Sequence, residues 1–257
     1  MGNRLLESAI ATLDKLSSRP IINKAVYVLA VFFLVSFIFL PPVIGITFKL
    51  GLAEQVFSNP ELISRSEAAI FWSFTIALSV ATLDLIAGLP LAWIIAGGHS
   101  RWINIIDALA DIPFVIPTVA LGFSTLLFWG NSGPVSLLGI IVPPGLLLVL
   151  LLHFAFSFPV IVRVMVGELM AHNTIYETAA KTLGARAFTI ARTVTLPILR
   201  PGLVAAFLLA FARSLSETGA TVIVAGLFEN GPVFIKNAKD AGLEGPMVLV
   251  SFTLILS

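Results

Sequence analysis

Apolar residues in this chain gather in long, nearly unbroken runs instead of recurring once per helical turn. Five runs are long: Ala25–Thr47, Ala68–Ala96, Ile105–Trp129, Pro144–Val166 and Leu203–Leu227. A helix of about 20 apolar residues covers the hydrocarbon of a bilayer, so each run is read as a span. A sixth run, Met247–Leu256, is about ten residues long, too short to cross. Either the native chain continues past Ser257 or this run does not span. The expectation is an all-α membrane protein of about six transmembrane helices, the last apparently incomplete. A single membrane domain is assigned to residues 25–257.

Interruptions within and between the runs refine this picture. The second run is over-long, which predicts a tilt or an elbow near Leu89-Pro90. A polar loop is expected from Lys49 to Glu67. The third run contains IPFVIPTVALG, with Pro113 and Pro117 four residues apart. Each proline bends the helix and frees a carbonyl, which suits either a pathway-lining helix or a kinked packing helix. GNSGP, from Gly130 to Pro134, is a turn signal. In residues 1–24, Leu5, Leu6, Ile10, Leu13 and Leu16 share one helical face. An interfacial helix and a cytosolic tail are both compatible with that stretch.

Composition agrees with lipid as the main solvent. Of 257 residues, 58% are hydrophobic and 11% charged, against about 25% charged in soluble domains. Mean hydropathy is +1.04. The absence of cysteine excludes disulfides and thiol chemistry, and a net charge of +1 argues against a nucleic-acid surface. His99, His153 and His172 show no ligand spacing, and His153 is expected to be a satisfied packing residue. Asp84, Asp107 and Asp111 lie in or near spans, where a carboxylate is a functional candidate. For Asp107 and Asp111 the expectation is a solvated end or an interhelical hydrogen bond.

With the amino terminus placed in the cytoplasm, ten basic residues fall inside: Arg4, Lys15, Arg19, Lys24, Arg101, Arg163, Lys181, Arg186, Arg192 and Arg200. Four fall outside: Lys49, Arg65, Lys236 and Lys239. The bias favours that orientation and puts the polar stretch 168–201 on the cytoplasmic side. Thr174 with Glu177 three residues later forms a capping-box pattern. The helix it opens would close on Gly184, and a second helix, Ala187 to Val194, would lead through Leu196-Pro197 into the fifth span. More than thirty residues are far more than a simple connection between packed helices needs, which favours a docking surface.

YETAAKTLGARAFTIARTVTLPILRPGL resembles the EAA signature of ATP-binding-cassette importer permeases. Ala179, Ala180, Gly184, Val194, Leu196 and Pro197 match it. The residue before the two alanines is Thr178, and the glutamate stands one earlier, at Glu177. The resemblance implies that this loop docks on a separate ATPase through Tyr176, Glu177, Thr178, Ala179, Ala180, Leu183, Gly184, Ala185, Leu196 and Pro197. It also implies a second copy of the permease, an external substrate-binding protein, surrounding membrane lipid, and ATP and Mg bound by the partner ATPase. The sequence has no G-x-x-x-x-G-K-[ST] phosphate loop and no enzyme motif of its own.

SLSETGATVIVAG, from Ser214 to Gly226, is similar to a stretch of molybdate, tungstate and sulfate permeases, as is IPFVIPTVALG. The implied path or gate residues are Pro117, Thr118, Ser216, Glu217, Thr218, Gly219 and Thr221. Hydroxyls suit a passing oxyanion, whereas Glu217 is expected to pair with Arg213 one turn away. Helix-packing glue is the competing account of these small residues. Permeases for iron or thiamine share much of the pattern. A secondary transporter or channel coupled through Asp84 or Asp107 is the alternative of a different class.

Overall fold

The computed structural model describes residues 20–98, 100–131, 133–172 and 174–256. The stretch 1–19, His99 and Asn173 lie outside the described residues, so the expected interfacial helix is not part of the description. Among the described residues every regular element is helical.

Helix α1 (Pro20–Phe33) passes through a π segment, Leu34–Phe39, into α2 (Leu40–Thr47). Together they form the expected first span. Its large side chains, Tyr27, Phe32, Phe33 and Phe37 among them, are exposed within the chain.

The expected loop at 49–67 is mostly helix. A 3-10 turn (Leu50–Ala53) and one helical turn (Glu54–Phe57) lead to α3 (Pro60–Gly97), which starts eight residues earlier than the apolar run. The reason is local. The Asn59 side chain accepts from the amides of Glu61 and Leu62, and Pro60 occupies the first turn, where its missing N–H costs nothing. The elbow anticipated at Leu89-Pro90 is absent; α3 runs through Pro90 for 38 residues. At 1.5 Å per residue it is about 57 Å long, well beyond the ~30 Å of hydrocarbon.

The third run is broken where a continuous span was expected. It forms α4 (Arg101–Ala110), one turn at Ile112–Val115, and α5 (Thr118–Trp129), with a 107° bend between the halves. Pro117 is responsible: the residue before a proline is pushed out of the helical region, and Ile116 sits at φ −75, ψ 130.

Helix α6 (Leu146–Ala171), long and apolar enough to cross a membrane, forms from the fourth apolar run and extends five residues beyond its expected end. The hairpin helices α7 (Ile175–Thr182) and α8 (Ala187–Ile190) follow. The fifth run is also broken, into α9 (Arg200–Leu215) and α10 (Gly219–Val224). Two further helices close the chain, α11 (Gly231–Asp240), which the polar sequence did not suggest, and α12 (Glu244–Leu256). At about 20 Å, α12 is short of a bilayer, as expected.

Contacts fix the directions. Asp84 meets Ser157, and Gly88 faces Ile161, so α3 and α6 run the same way. His153 meets Ser214, while Gly202 faces Glu168, so α9 runs opposite to α6. The core lies between these three helices. Ile76, Val80, Leu152 and Phe156 fill one part; Ala81, Ile161, Met165 and Ala206 fill the other. Small residues set the closest approach: a Cβ on Gly122 of α5 would lie 2.7 Å from the Ala220 carbonyl oxygen of α10. In a bundle surrounded by lipid, such packing and interhelical hydrogen bonds drive association, because burial of apolar area alone gains little.

Gly122→Ala should therefore lower the stability of the purified chain by about 1–3 kcal/mol, since backbone must move. Gly167, whose added Cβ would meet nothing within 4 Å, is the control. Gly167→Ala should leave the melting temperature unchanged or raise it slightly. Thermal unfolding in detergent checks both.

Candidate functional site

Two places concentrate polar groups: the hairpin and the break in the fifth run.

In the hairpin, α7 ends on a Schellman turn. Leu183 is the C-cap residue after Thr182, Gly184 takes φ +83, the Gly184 amide donates to Lys181 O at 2.9 Å and the Ala185 amide to Ala180 O at 3.0 Å. The left-handed backbone there is what requires glycine. The other end departs from expectation. Thr174 precedes the helix, but its side chain makes no capping bond. Glu177 instead accepts a hydrogen bond from the buried Thr195 hydroxyl at 2.6 Å and lies 3.6 Å from His172 Nε2. The glutamate thus ties α7 to the returning segment of the hairpin, a partner 18 positions away that no local spacing reveals.

The second hairpin helix is shorter than expected. Only Ala187–Ile190 is α-helical; Ala191–Thr195 is a π segment, followed by one turn at Leu196–Ile198. Pro197 cannot donate an amide to the preceding turn, which favours the wider winding just ahead of it. A 71° bend then leads into α9. At the root, Glu168 packs against Gly202, where a Cβ would lie 2.5 Å from the carboxyl carbon.

Large apolar side chains stand on the hairpin's surface among exposed Lys181, Arg186, Arg192 and several threonines. Ile175, Tyr176, Leu183 and Phe188 are exposed, the last two at 88% and 77%. Thr178, Ala179, Gly184 and Pro197 are exposed too, with Ala180, Ala185 and Leu196 partly so. Between the hairpin and the end of α3, Trp93, Glu177, Lys181 and Phe188 line a cavity of about 350 Å³.

At the break, His153 of α6 joins both halves of the fifth run. Its Nδ1 is 2.8 Å from Ser214 Oγ, at the end of α9, and its Nε2 is 2.9 Å from Thr221 Oγ1, in α10. Thr221 donates to the Glu217 carbonyl at 3.2 Å, so its oxygen accepts from Nε2–H and Ser214 donates to Nδ1. His153 is the satisfied packing residue that its position suggested. Glu217 caps α10 by accepting from the Ala220 amide at 3.0 Å and pairs with Arg213 at 3.1 Å. Arg213 in turn lies 4.1 Å over the Phe156 ring.

The candidate path residues therefore divide. Thr118 and Gly219 come together, a Cβ on Gly219 lying 3.1 Å from Thr118 Oγ1. Pro117 is exposed at the other break. Ser216 and Thr218 are exposed and line a groove of about 780 Å³. Glu217 and Thr221 are buried, and their polar atoms are bonded within the chain.

The three aspartates all have structural partners. Arg163 of α6 reaches Asp107 Oδ1 at 2.8 Å, the Asp107 carbonyl at 3.0 Å and the Asp111 carboxylate at 2.5 Å. This interhelical clamp holds α4 on α6. Arg163 was counted as a flanking charge by position; it lies within α6. Asp84 accepts from the Ser157 hydroxyl in the core, and its Oδ1 has no partner among the described residues.

Residues 88–257 match the binding-protein-dependent transport system inner membrane component family. The chain belongs to that family. Among its relatives is the molybdenum transport system permease protein ModB of Mycobacterium tuberculosis, 34% identical over 63% of this chain and 62% of that protein. The chain thus spans less than two thirds of that relative's length. The sulfate transport system permease protein CysW of Escherichia coli is 30% identical over 84% of this chain and 77% of its own. Two solved assemblies share the fold. One is the MetNI methionine ABC transporter in inward-facing conformations, with a TM-score of 0.63 at 18% identity, covering 77% of this chain and 91% of that one. The other is a bacterial ABC transporter importing alginate, with a TM-score of 0.66 at 15% identity, covering 95% and 94%. The family match covers the hairpin and both broken runs, so each lies in the part shared with family members.

Removing the Glu177 carboxylate leaves the buried Thr195 hydroxyl unpaired, which costs about 1–3 kcal/mol. Glu177→Ala should speed hydrogen exchange of the 175–195 amides by roughly tenfold while the α3 and α6 amides keep their protection. Glu177→Gln, which retains an acceptor oxygen, should change them little. Mass-resolved exchange on the full chain checks this.

Proposed function

We propose that this chain is the membrane-spanning permease subunit of an ATP-driven importer. In this reading two copies form the pathway, and two ATPase subunits, which bind ATP and Mg, dock on the hairpins. A separate external protein delivers the cargo. The chain lies in the cell membrane with its amino terminus in the cytoplasm, as the basic residues favour, nine inside to four outside once Arg163, which lies within α6, is set aside.

The observation that carries the reading is a stiff hairpin with large apolar side chains uncovered on its surface. Ile175, Tyr176, Leu183 and Phe188 are uncovered, yet the backbone beneath them is fixed by the Gly184 turn and the Glu177–Thr195 bond. An exposed apolar surface on a rigid support is what a protein partner requires. Glu168 against Gly202 seats the root of the hairpin between α6 and α9. Force applied at α7 is passed to those two helices instead of being absorbed by a loop. Closure of the ATPases would then rock them and alternate access to the path.

The cargo we assign is a tetrahedral oxyanion, molybdate, tungstate or sulfate. Support comes from the similarity to the molybdenum permease ModB and the sulfate permease CysW and from the exposed hydroxyls of Ser216 and Thr218 beside the break. Hydroxyls hold an oxyanion without trapping it, a requirement of passage. An ATPase-independent carrier would need a carboxylate exposed to the path. Asp107 and Asp111 are instead held by Arg163, and Asp84 is buried against Ser157.

Expression with the ATPase encoded beside it should yield a stable complex on affinity purification; complete failure to associate would remove the basis of the reading. Gly184→Leu, which places a side chain at φ +83, should lower uptake per ATP hydrolysed by at least about tenfold while the spans remain inserted. Wild-type coupling in that variant would refute the docking role.

A further inference from the structure

We propose that the groove beside the break in the fifth run is a collecting site for the oxyanion, in which Lys236 and Lys239 of α11 hold the ion ahead of Ser216 and Thr218. The inference rests on the oxyanion reading above and adds residues that no feature of the sequence had connected.

The groove is about 780 Å³ and lies between α9, α11 and α12. Its walls are largely apolar, Phe211 and Leu254 among them, yet both lysines enter its lining with Ser216, Thr218 and Ser251. No carboxylate belongs to that lining. The two lysines are three residues apart on one helix and so share a face. Lys236 pairs with Asp240 at 2.7 Å, a neighbour outside the groove lining with a side chain 60% exposed. Lys239 makes no ion pair among the described residues at that distance scale. The groove therefore carries a net positive charge against a low-dielectric wall, the arrangement that concentrates an anion.

The opposite side of α11 is fixed, so the lysines are held at the groove and not carried on a loose loop. The Asn230 side chain caps α11 by accepting from the Val233 amide, and the Gly231 amide donates to Ser73 of α3 at 2.6 Å. Glu229 accepts from Asn237 and pairs with Arg65, also of α3, at 3.0 Å. Phe234 and Ala238 are buried. One face of the helix is bolted to α3, and Lys236 and Lys239 project where Ser216 and Thr218 are exposed. A divalent oxyanion arriving there competes with Asp240 for Lys236 and finds Lys239 available. The groove is far larger than such an ion, so the ion keeps part of its water and stays weakly bound, ready to move on.

The test is uptake of labelled molybdate, sulfate and tungstate, each separately, by vesicles containing the complete complex of permease and ATPases, driven by ATP and supplied by its binding protein. If the wild-type complex imports neither molybdate nor sulfate nor tungstate, the oxyanion reading itself fails. If it imports one, Lys236→Gln/Lys239→Gln is expected to lower ions imported per ATP hydrolysed by about tenfold at limiting binding protein, and Lys236→Arg/Lys239→Arg to restore most of it. Wild-type stoichiometry in the glutamine variant overturns the site. A proportional loss of uptake and ATP hydrolysis also overturns it, since that would make the lysines a docking surface for the binding protein. Should the double variant not assemble, Asp240→Asn decides: freeing Lys236 is expected to lower the half-saturating cargo concentration by roughly threefold, and no change overturns the proposal.

Discussion

The imidazole of His153 bonds to Ser214 with one nitrogen and to Thr221 with the other. Those hydroxyls stand on either side of the place where the fifth run stops being a helix. A broken helix in lipid leaves backbone groups without partners, which hydrocarbon does not tolerate. Here the break survives because a third helix bridges it and Glu217 caps the second half from inside. Each of these bonds contributes on the order of 1 kcal/mol in a membrane interior. Their effect lies in geometry more than in energy: they hold α10 where Gly122 and Gly219 let it press against α5. The two discontinuities, one made by Pro117 and one by the 216–218 stretch, are thereby brought face to face.

Helix α6 connects this arrangement to the hairpin. It carries His153 at the break, Arg163 at the clamp on Asp107 and Asp111, and Glu168 beside Gly202. Three polar side chains spaced along one helix tie it to α4, α9 and α10. Tilting α6 from its hairpin end therefore displaces the groups around the break together. The packing between them is close and resists being deformed piecemeal.

Much of this was legible in the sequence, and the failures have identifiable causes. The first and fourth apolar runs were legible as long helices because length and apolarity alone decide them. The Gly184 turn was legible because one residue type dominates that conformation. The Arg213–Glu217 pair followed from its one-turn spacing. The capping box failed because Glu177 found Thr195, a partner outside the local window. The third and fifth spans were read as continuous because apolar runs do not record direction; Pro117 turned a kink into a 107° bend. Thr221 was assigned to the path, but His153, 68 positions away, takes up its hydroxyl. Helix α11 was missed because it is polar and is held by Ser73, Arg65 and Glu229, contacts that only the folded chain assembles.

The first helix stands apart from all of these ties. From Tyr27 to Phe39 its large side chains touch little of their own chain, and none of the helix's most apolar window is buried. Its place is set by the bilayer and by whatever lies alongside it, not by the bundle that follows. A melting curve of the lone subunit therefore registers the loss of α3, α6 and α9 from one another. It carries almost no signal from the most hydrophobic stretch of the molecule.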